Sequence, residues 1–134
     1  MEKPWELGER TILFAVSMIR FCRALPRTAE AAEIASQLRR AAGSVGAHYS
    51  AAKRNRSSRD FIAKMGGAIE EGDECMLWLD VLVRADIARD ETARPLRSEA
   101  NELISIFIAS RTTAIRRAAR KRRARFRAAK QQEP

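Results

Sequence analysis

Residues 58–85, SRDFIAKMGGAIEEGDECMLWLDVLVRA, decide the fold. Phe61, Met65, Ile69, Gly72, Met76, Leu79 and Val83 recur at steps of four and three, which draws one apolar stripe along an α-helix. Trp78 and Leu82 widen the stripe. Just ahead, Ser57-Ser58-Arg59-Asp60 resembles a capping box, with a serine oxygen for the free amides and an acid in the first turn. No stretch of useful length alternates like a strand, so the class is all-α.

Working outward, the same period appears three more times. A segment from Thr28 to Lys53 carries Ile34, Leu38, Ala41, Val45, Tyr49 and Ala52, with Thr28 as cap and Glu30 in its first turn. Gly43 and Gly46 sit inside it. With Ala41, Ala42 and Ala47 they form a small-residue face suited to close backbone approach. A segment from Trp5 to Leu25 carries Leu7, Thr11, Phe14, Met18, Phe21 and Leu25, and Pro26 closes it. A fourth begins near Thr92 or Ala93, with Pro95 in its first turn, and carries Leu96, Ala100, Leu103, Phe107, Ser110 and Ala114. The links at Pro26–Arg27, Arg54–Ser57 and Asp86–Glu91 are short, and short links make neighbouring helices antiparallel. The expected fold is an antiparallel up-down-up-down four-helix bundle over residues 1–115. An Arg-rich extension over 116–134 follows, either continuing the last helix or disordered.

The chain has 134 residues, enough for one domain with a real core. The longest apolar run, Thr11 to Ile19, is about half a membrane span. Met1-Glu2-Lys3-Pro4-Trp5 does not read as a secretory leader. Cys22 and Cys75 form no CxxC pair and no disulfide framework, and read as small core residues. A cytoplasmic protein without membrane contact is the default these features imply.

Charge divides the chain. Residues 111–130 hold ten basic side chains and no acid, whereas residues 1–110 hold sixteen of each sign. The net charge of +9 therefore belongs to residues 111–134. Arg116, Arg117, Arg120, Lys121, Arg122, Arg123, Arg125 and Arg127 are the candidate nucleic-acid contacts there. Lys53, Arg54, Arg56 and Arg59 join them from the link after the second segment. Such a run attracts polyanions by counterion release. Phe126 is the one aromatic in the extension, so base stacking and sequence readout have little support. An acidic protein, a membrane surface, or a charged tail serving solubility are the other readings.

Nothing reads as catalytic, and no cofactor or metal is expected. His48 is the single histidine, without a nucleophile elbow or glycine loop for a triad; a structural hydrogen bond is its expected role. Glu70, Glu71, Asp73, Glu74 and Asp80 would need Glu-x-x-His partners to hold two irons, and none exist. They suit pairing instead, with Arg39, Arg40, Glu70 and Glu74 as a candidate polar network. Gly66-Gly67 falls far short of a phosphate loop. Ile12, Val16 and Ile19 on the first segment, with Ile104, Ile108 and Ile115 on the fourth, form second apolar stripes. A bundle helix needs about one apolar face, so the extra faces suggest contacts between copies of the chain. A partner protein is the alternative, with the tail incidental.

Three runs carry a family resemblance. Ser36-Gln37-Leu38-Arg39-Arg40-Ala41-Ala42-Gly43-Ser44-Val45 resembles the second-helix signature of the four-helix bundle family named for 23S rRNA intervening sequences, also called S23. Glu70-Glu71-Gly72-Asp73-Glu74-Cys75-Met76-Leu77-Trp78-Leu79-Asp80 resembles its third helix. Asn101-Glu102-Leu103-Ile104-Ser105-Ile106-Phe107-Ile108-Ala109-Ser110 resembles its fourth. The likeness covers roughly residues 5–115. Gly46, His48 and Ala51-Ala52 depart from the proline, asparagine and acid–glycine usual there, and the family tail is usually less arginine-rich. The resemblance implies a homo-oligomer, a ring of five subunits, with no established enzyme activity. A related group, the accessory proteins of diversity-generating retroelements, shares the bundle and the basic character and binds nucleic acid.

Overall fold

A computed structural model describes residues 4–133, with side chains from Glu6. The Met1-Glu2-Lys3 opening and Pro134 lie outside the described residues. Four helices follow in order: α1 (Pro4–Arg23), α2 (Ala29–Lys53), α3 (Ser58–Arg84) and α4 (Asp90–Gln131). No strand occurs among the described residues.

The caps explain most of the boundaries. Thr28 Oγ1 accepts from the Ala31 amide at 3.2 Å and starts α2. Ser57 Oγ accepts from the Asp60 amide at 3.0 Å and starts α3. α3 ends with Asp86 at φ 60°, a left-handed position that aspartate tolerates better than most residues. The Ile87 amide then reaches back to the Leu82 carbonyl at 2.9 Å, the six-to-one bond of a Schellman end.

Helix α4 begins earlier than its sequence pattern suggests. Asp90 and Glu91 occupy its first turn, where the positive end of the helix dipole favours acids, although Arg89 supplies no side-chain cap. Pro95 therefore falls in the second turn, and the bond its missing N–H would have made to the Glu91 carbonyl is lost.

The buried positions share one spacing. On α2 the line is Ala31, Ala35, Leu38, Ala42, Val45, Tyr49 and Ala52; on α3, Met65, Ala68, Gly72, Cys75, Leu79 and Leu82; on α4, Ala93, Leu96, Ala100, Leu103 and Phe107, with Ala41 and Ile104 also buried beside it. Steps of three and four alternate, the 3.5-residue repeat of helices crossing at about 20°. On α3 this line runs beside the predicted stripe: Phe61, Ile69, Met76 and Val83 are only partly buried, while Ala68, Cys75 and Leu82 take the centre. Each line mixes large side chains with Ala or Gly, so facing helices can interdigitate.

Contacts between helices give their directions. Gly8 lies by Lys53, Gly46 by Thr11, and Cys22 by Ala35, so α1 and α2 are antiparallel. Arg40 meets Glu74 and His48 meets Gly67; Asp80 meets Arg97, Gly72 meets Ile104, and Gly66 meets Arg111. The pairs α2–α3 and α3–α4 thus also run antiparallel. α3 is wedged between α2 and α4, whereas α1 rests on α2 and touches α4 less. Tyr49 and Phe107 stack across the core with ring centroids 5.6 Å apart.

The glycines of α2 do not act alike. A Cβ on Gly46 would stand 3.2 Å from Thr11 Oγ1, so this glycine lets α1 in close. Gly43 has nothing within 4 Å of that position and is exposed, as is Ala47. Close packing therefore accounts for Gly46 and not for Gly43.

Candidate nucleic-acid interface

Helix α4 is 42 residues long, against 20 to 27 for the others, so it outruns the bundle. The sequence favours this continuation. Beyond Ile115 it is mostly Ala, Arg and Lys, all strong helix formers, with no Gly and no Pro before Pro134. Arg116, Arg117, Arg120, Lys121, Arg122, Arg123, Arg125 and Arg127 are all exposed on it. Arg116, Arg120, Arg123, Arg127 and Lys130 share one face. Lys130 Nζ sits 5.2 Å from the Phe126 ring centroid.

The last basic residue before Ile115 behaves differently. Arg111 is half-buried, crosses α3 over Gly66, and donates from Nε to the Ile62 carbonyl at 3.2 Å. It clamps α4 to α3 at the point where α4 leaves the bundle, rather than facing outward as a ligand cation.

That point lies at the α2–α3 end of the bundle, so Lys53, Arg54, Arg56 and Arg59 stand near the root of the extension. All four are exposed, and none forms an ion pair with a described residue. The loop is held in place from within. Asn55 Nδ2 donates to the Ala52 carbonyl at 2.9 Å, and the Arg56 amide donates to Asp60 at 3.1 Å. Lys64 also donates to Asp60, at 2.8 Å. These bonds, led by the one from Lys64, hold the Asp60 carboxyl below the usual carboxylate range. The one acid in this loop is therefore engaged locally. Lys53 Nζ also lies 5.6 Å from the Tyr49 ring centroid.

The polar network forms with two changes. Arg40 Nη2 donates to both Glu74 oxygens at 2.6 and 2.7 Å, and Nη1 reaches Glu71 at 3.4 Å. Trp78 Nε1 donates to Glu74 at 3.2 Å. Glu71 and Trp78 are the members that sequence reasoning missed. The i,i+4 spacing of Glu74 and Trp78 was the available signal for the latter. Glu70 points to solvent on the neighbouring face. Arg39 lies by Cys22 and pulls against the burial that raises that thiol's pKa. The network is half-exposed rather than buried.

His48 also departs from expectation. Its ring packs on Gly67, where a Cβ would come within 2.7 Å of Nδ1, and it makes no hydrogen bond with the described residues. Its role is steric: Gly67 is the notch that admits the imidazole. Cys75 is fully buried and its thiol is pushed up to about 12, chiefly by desolvation. No group of three or more His, Cys, Asp or Glu among the described residues could hold a metal ion. No helix there is long and apolar enough to cross a membrane.

Two clefts flank α1. One of about 760 Å³ lies between its C-terminal half and the start of α4, lined by Leu13, Phe21, Leu25, Ile87 and Pro95. A groove of about 480 Å³ runs between α1 and α2 along Ile12, Val16, Ile19, Gly43 and Ala47. Ile12 is 58% exposed and Leu13 54%.

The similarity to known proteins extends over most of the chain. A solved structure from Bacteroides thetaiotaomicron, described as a protein with unknown function from the S23 ribosomal protein family, superposes with a TM-score of 0.72. It is 24% identical, and the match covers 77% of this chain and 95% of that one, which supports the shared fold. No curated protein matches the chain. The family model described as 23S rRNA-intervening sequence protein matches residues 5–109, from the first turn of α1 to just before Arg111 on α4. By that match the chain belongs to the 23S rRNA-intervening sequence protein family.

Proposed function

We propose that this protein is a non-enzymatic, oligomeric binding or scaffold protein that contacts nucleic acid through the α4 extension and the α2–α3 loop. One observation carries the reading. A helix bearing nine exposed cations and no acid between Arg116 and Lys130 projects from the end of the bundle that also presents Lys53, Arg54, Arg56 and Arg59. Cations that no described carboxylate neutralises are ready to replace the counterions of a phosphate backbone. In an oligomer several extensions would act together and multiply a weak contact. The exposed Ile12, Leu13 and Ile19 on α1 favour such an assembly, and the family resemblance suggests five copies.

The test is binding to mixed RNA and DNA across a salt series, for the intact chain and for a chain lacking residues 116–134. The intact chain should bind at low salt, with affinity falling steeply as salt rises. The shortened chain should lose most of that affinity while keeping its helical melting transition. Absence of binding by the intact chain at low salt overturns the reading. The apolar face of α1 supports a second one, a homo-oligomer whose partner is another protein and whose tail serves solubility. A stoichiometric protein partner that survives nuclease treatment would favour it, and a mass measurement in solution gives the copy number.

A further inference from the structure

The distribution of charge around the α4 extension is as informative as its amount. At about 100° per residue, Ile115, Ala119 and Phe126 fall within a strip about 40° wide. Phe126 is 64% exposed and Ile115 40%, so the two large side chains of the strip face solvent, with Ala119 half-buried between them. Arg122 and Arg125 lie to one side of it. Arg116, Arg120, Arg123, Arg127 and Lys130 lie to the other, and Arg117 and Lys121 occupy the back.

A helix made to rest on a flat anionic surface needs cations on one face only. This one has them on both flanks of a narrow uncharged strip. The complementary shape is a trough with an anionic wall on each side and an uncharged floor. The major groove of B-form DNA is such a trough, about 12 Å wide between phosphate walls, and it admits a helix about 10–12 Å across. Its floor offers base edges and thymine methyl groups, which suit Ile115 and Phe126. The major groove of an A-form RNA duplex is too narrow and deep for a helix, and its other groove is shallow. Residues 115–130 span about 22 Å, or roughly six base pairs.

We infer that the α4 extension lies in the major groove of duplex DNA, with Ile115, Ala119 and Phe126 toward the floor and arginines against both phosphate walls. The inference rests on the nucleic-acid reading above and narrows it to one duplex and one groove. The loop cations at the root then meet the backbone where the helix enters. Few hydrogen-bonding groups face the floor, so sequence preference is weak.

The experiment compares full-length protein on a mixed-sequence DNA duplex, the matching RNA duplex and the matching single-stranded RNA, at one salt concentration. A dimethyl sulfate footprint of the DNA complex then reads guanine N7 in the major groove and adenine N3 in the minor. The DNA duplex should bind roughly tenfold tighter than the RNA duplex, with N7 protected and N3 open. Phe126→Glu should weaken DNA binding more than Lys121→Glu, although the second removes more positive charge. Equal or tighter binding to either RNA, N3 protection without N7, or the opposite order of the two variants overturns the groove inference and leaves nucleic-acid binding standing. Failure to bind any of the three overturns both.

Discussion

Helix α4 lives in two environments. From Asp90 to about Arg111 it is held by burial: Leu96, Ala100, Leu103 and Phe107 face the core, and Arg111 pins it to the Ile62 carbonyl. From Arg116 to Gln131 every residue but the half-buried Ala118 and Ala119 is exposed, and the helix leans on intrinsic propensity. Its like charges at i,i+4, such as Arg116 with Arg120 and Arg123 with Arg127, oppose helix formation. The inner half is stable because of what it touches within the chain. The outer half gains when an anion relieves its repulsion. Folding thus rests on the inner stretch of the helix, and the proposed binding on the outer one.

The comparison breaks most sharply at Phe107, which is fully buried and stacked on Tyr49. Phe107→Ala should lower unfolding free energy by about 3–5 kcal/mol in denaturant titration, and nucleic-acid affinity should hold as long as the bundle stays folded. The reciprocal experiment replaces Arg116, Arg120, Arg123 and Arg127 with Gln. Affinity at low salt should drop by roughly one to two orders of magnitude, and the salt slope should become shallower by about 0.9 for each lost phosphate contact. The melting temperature should barely change. A large stability loss in this variant would mean that the outer half is held by contacts after all.

Two glycines separate close packing from open surface on a smaller scale. Gly72→Ala gains helix propensity but puts a Cβ within 2.7 Å of Ile104 Cγ1, and should destabilise by about 1 kcal/mol net. Gly43→Ala meets nothing within 4 Å and should stabilise by about 0.5–1 kcal/mol. Thermal melts of the two variants should shift in opposite directions.

The smallest effect is at Glu74, held below the usual carboxylate range first by the hydrogen bond from Arg40 and then by the one from Trp78. Its contribution is present above the ordinary carboxylate pKa and disappears as pH falls through the depressed value. Glu74→Gln should flatten that part of the acid unfolding curve and change neutral-pH stability little, because the pair is half-exposed.

Legibility followed the range of the interaction. Helix count, the Thr28 and Ser57 caps and the exposure of the extension come from local pattern, and they were readable. The α4 start was less so, because Asp90 and Glu91 act through the dipole without a side-chain cap. On α3 a broad apolar face permits several stripes, and only the neighbours choose the one through Ala68, Cys75 and Leu82. His48 looked like a hydrogen-bonding residue because nothing in sequence reveals that Gly67 lies opposite it. Glu70 rather than Glu71 was the partner expected for Arg40, because only the packing of α2 on α3 shows which of the two acids faces it.

By itself, the sequence determined four amphipathic helices, a neutral body and a cationic C-terminus, because propensity, periodicity and charge are properties of neighbouring residues. Only the tertiary structure decided that Arg111 is a clamp rather than a ligand cation. It also set the loop cations at the root of the projecting helix. Both depend on which ends of α2, α3 and α4 meet, and residues far apart in the chain settle that by packing together.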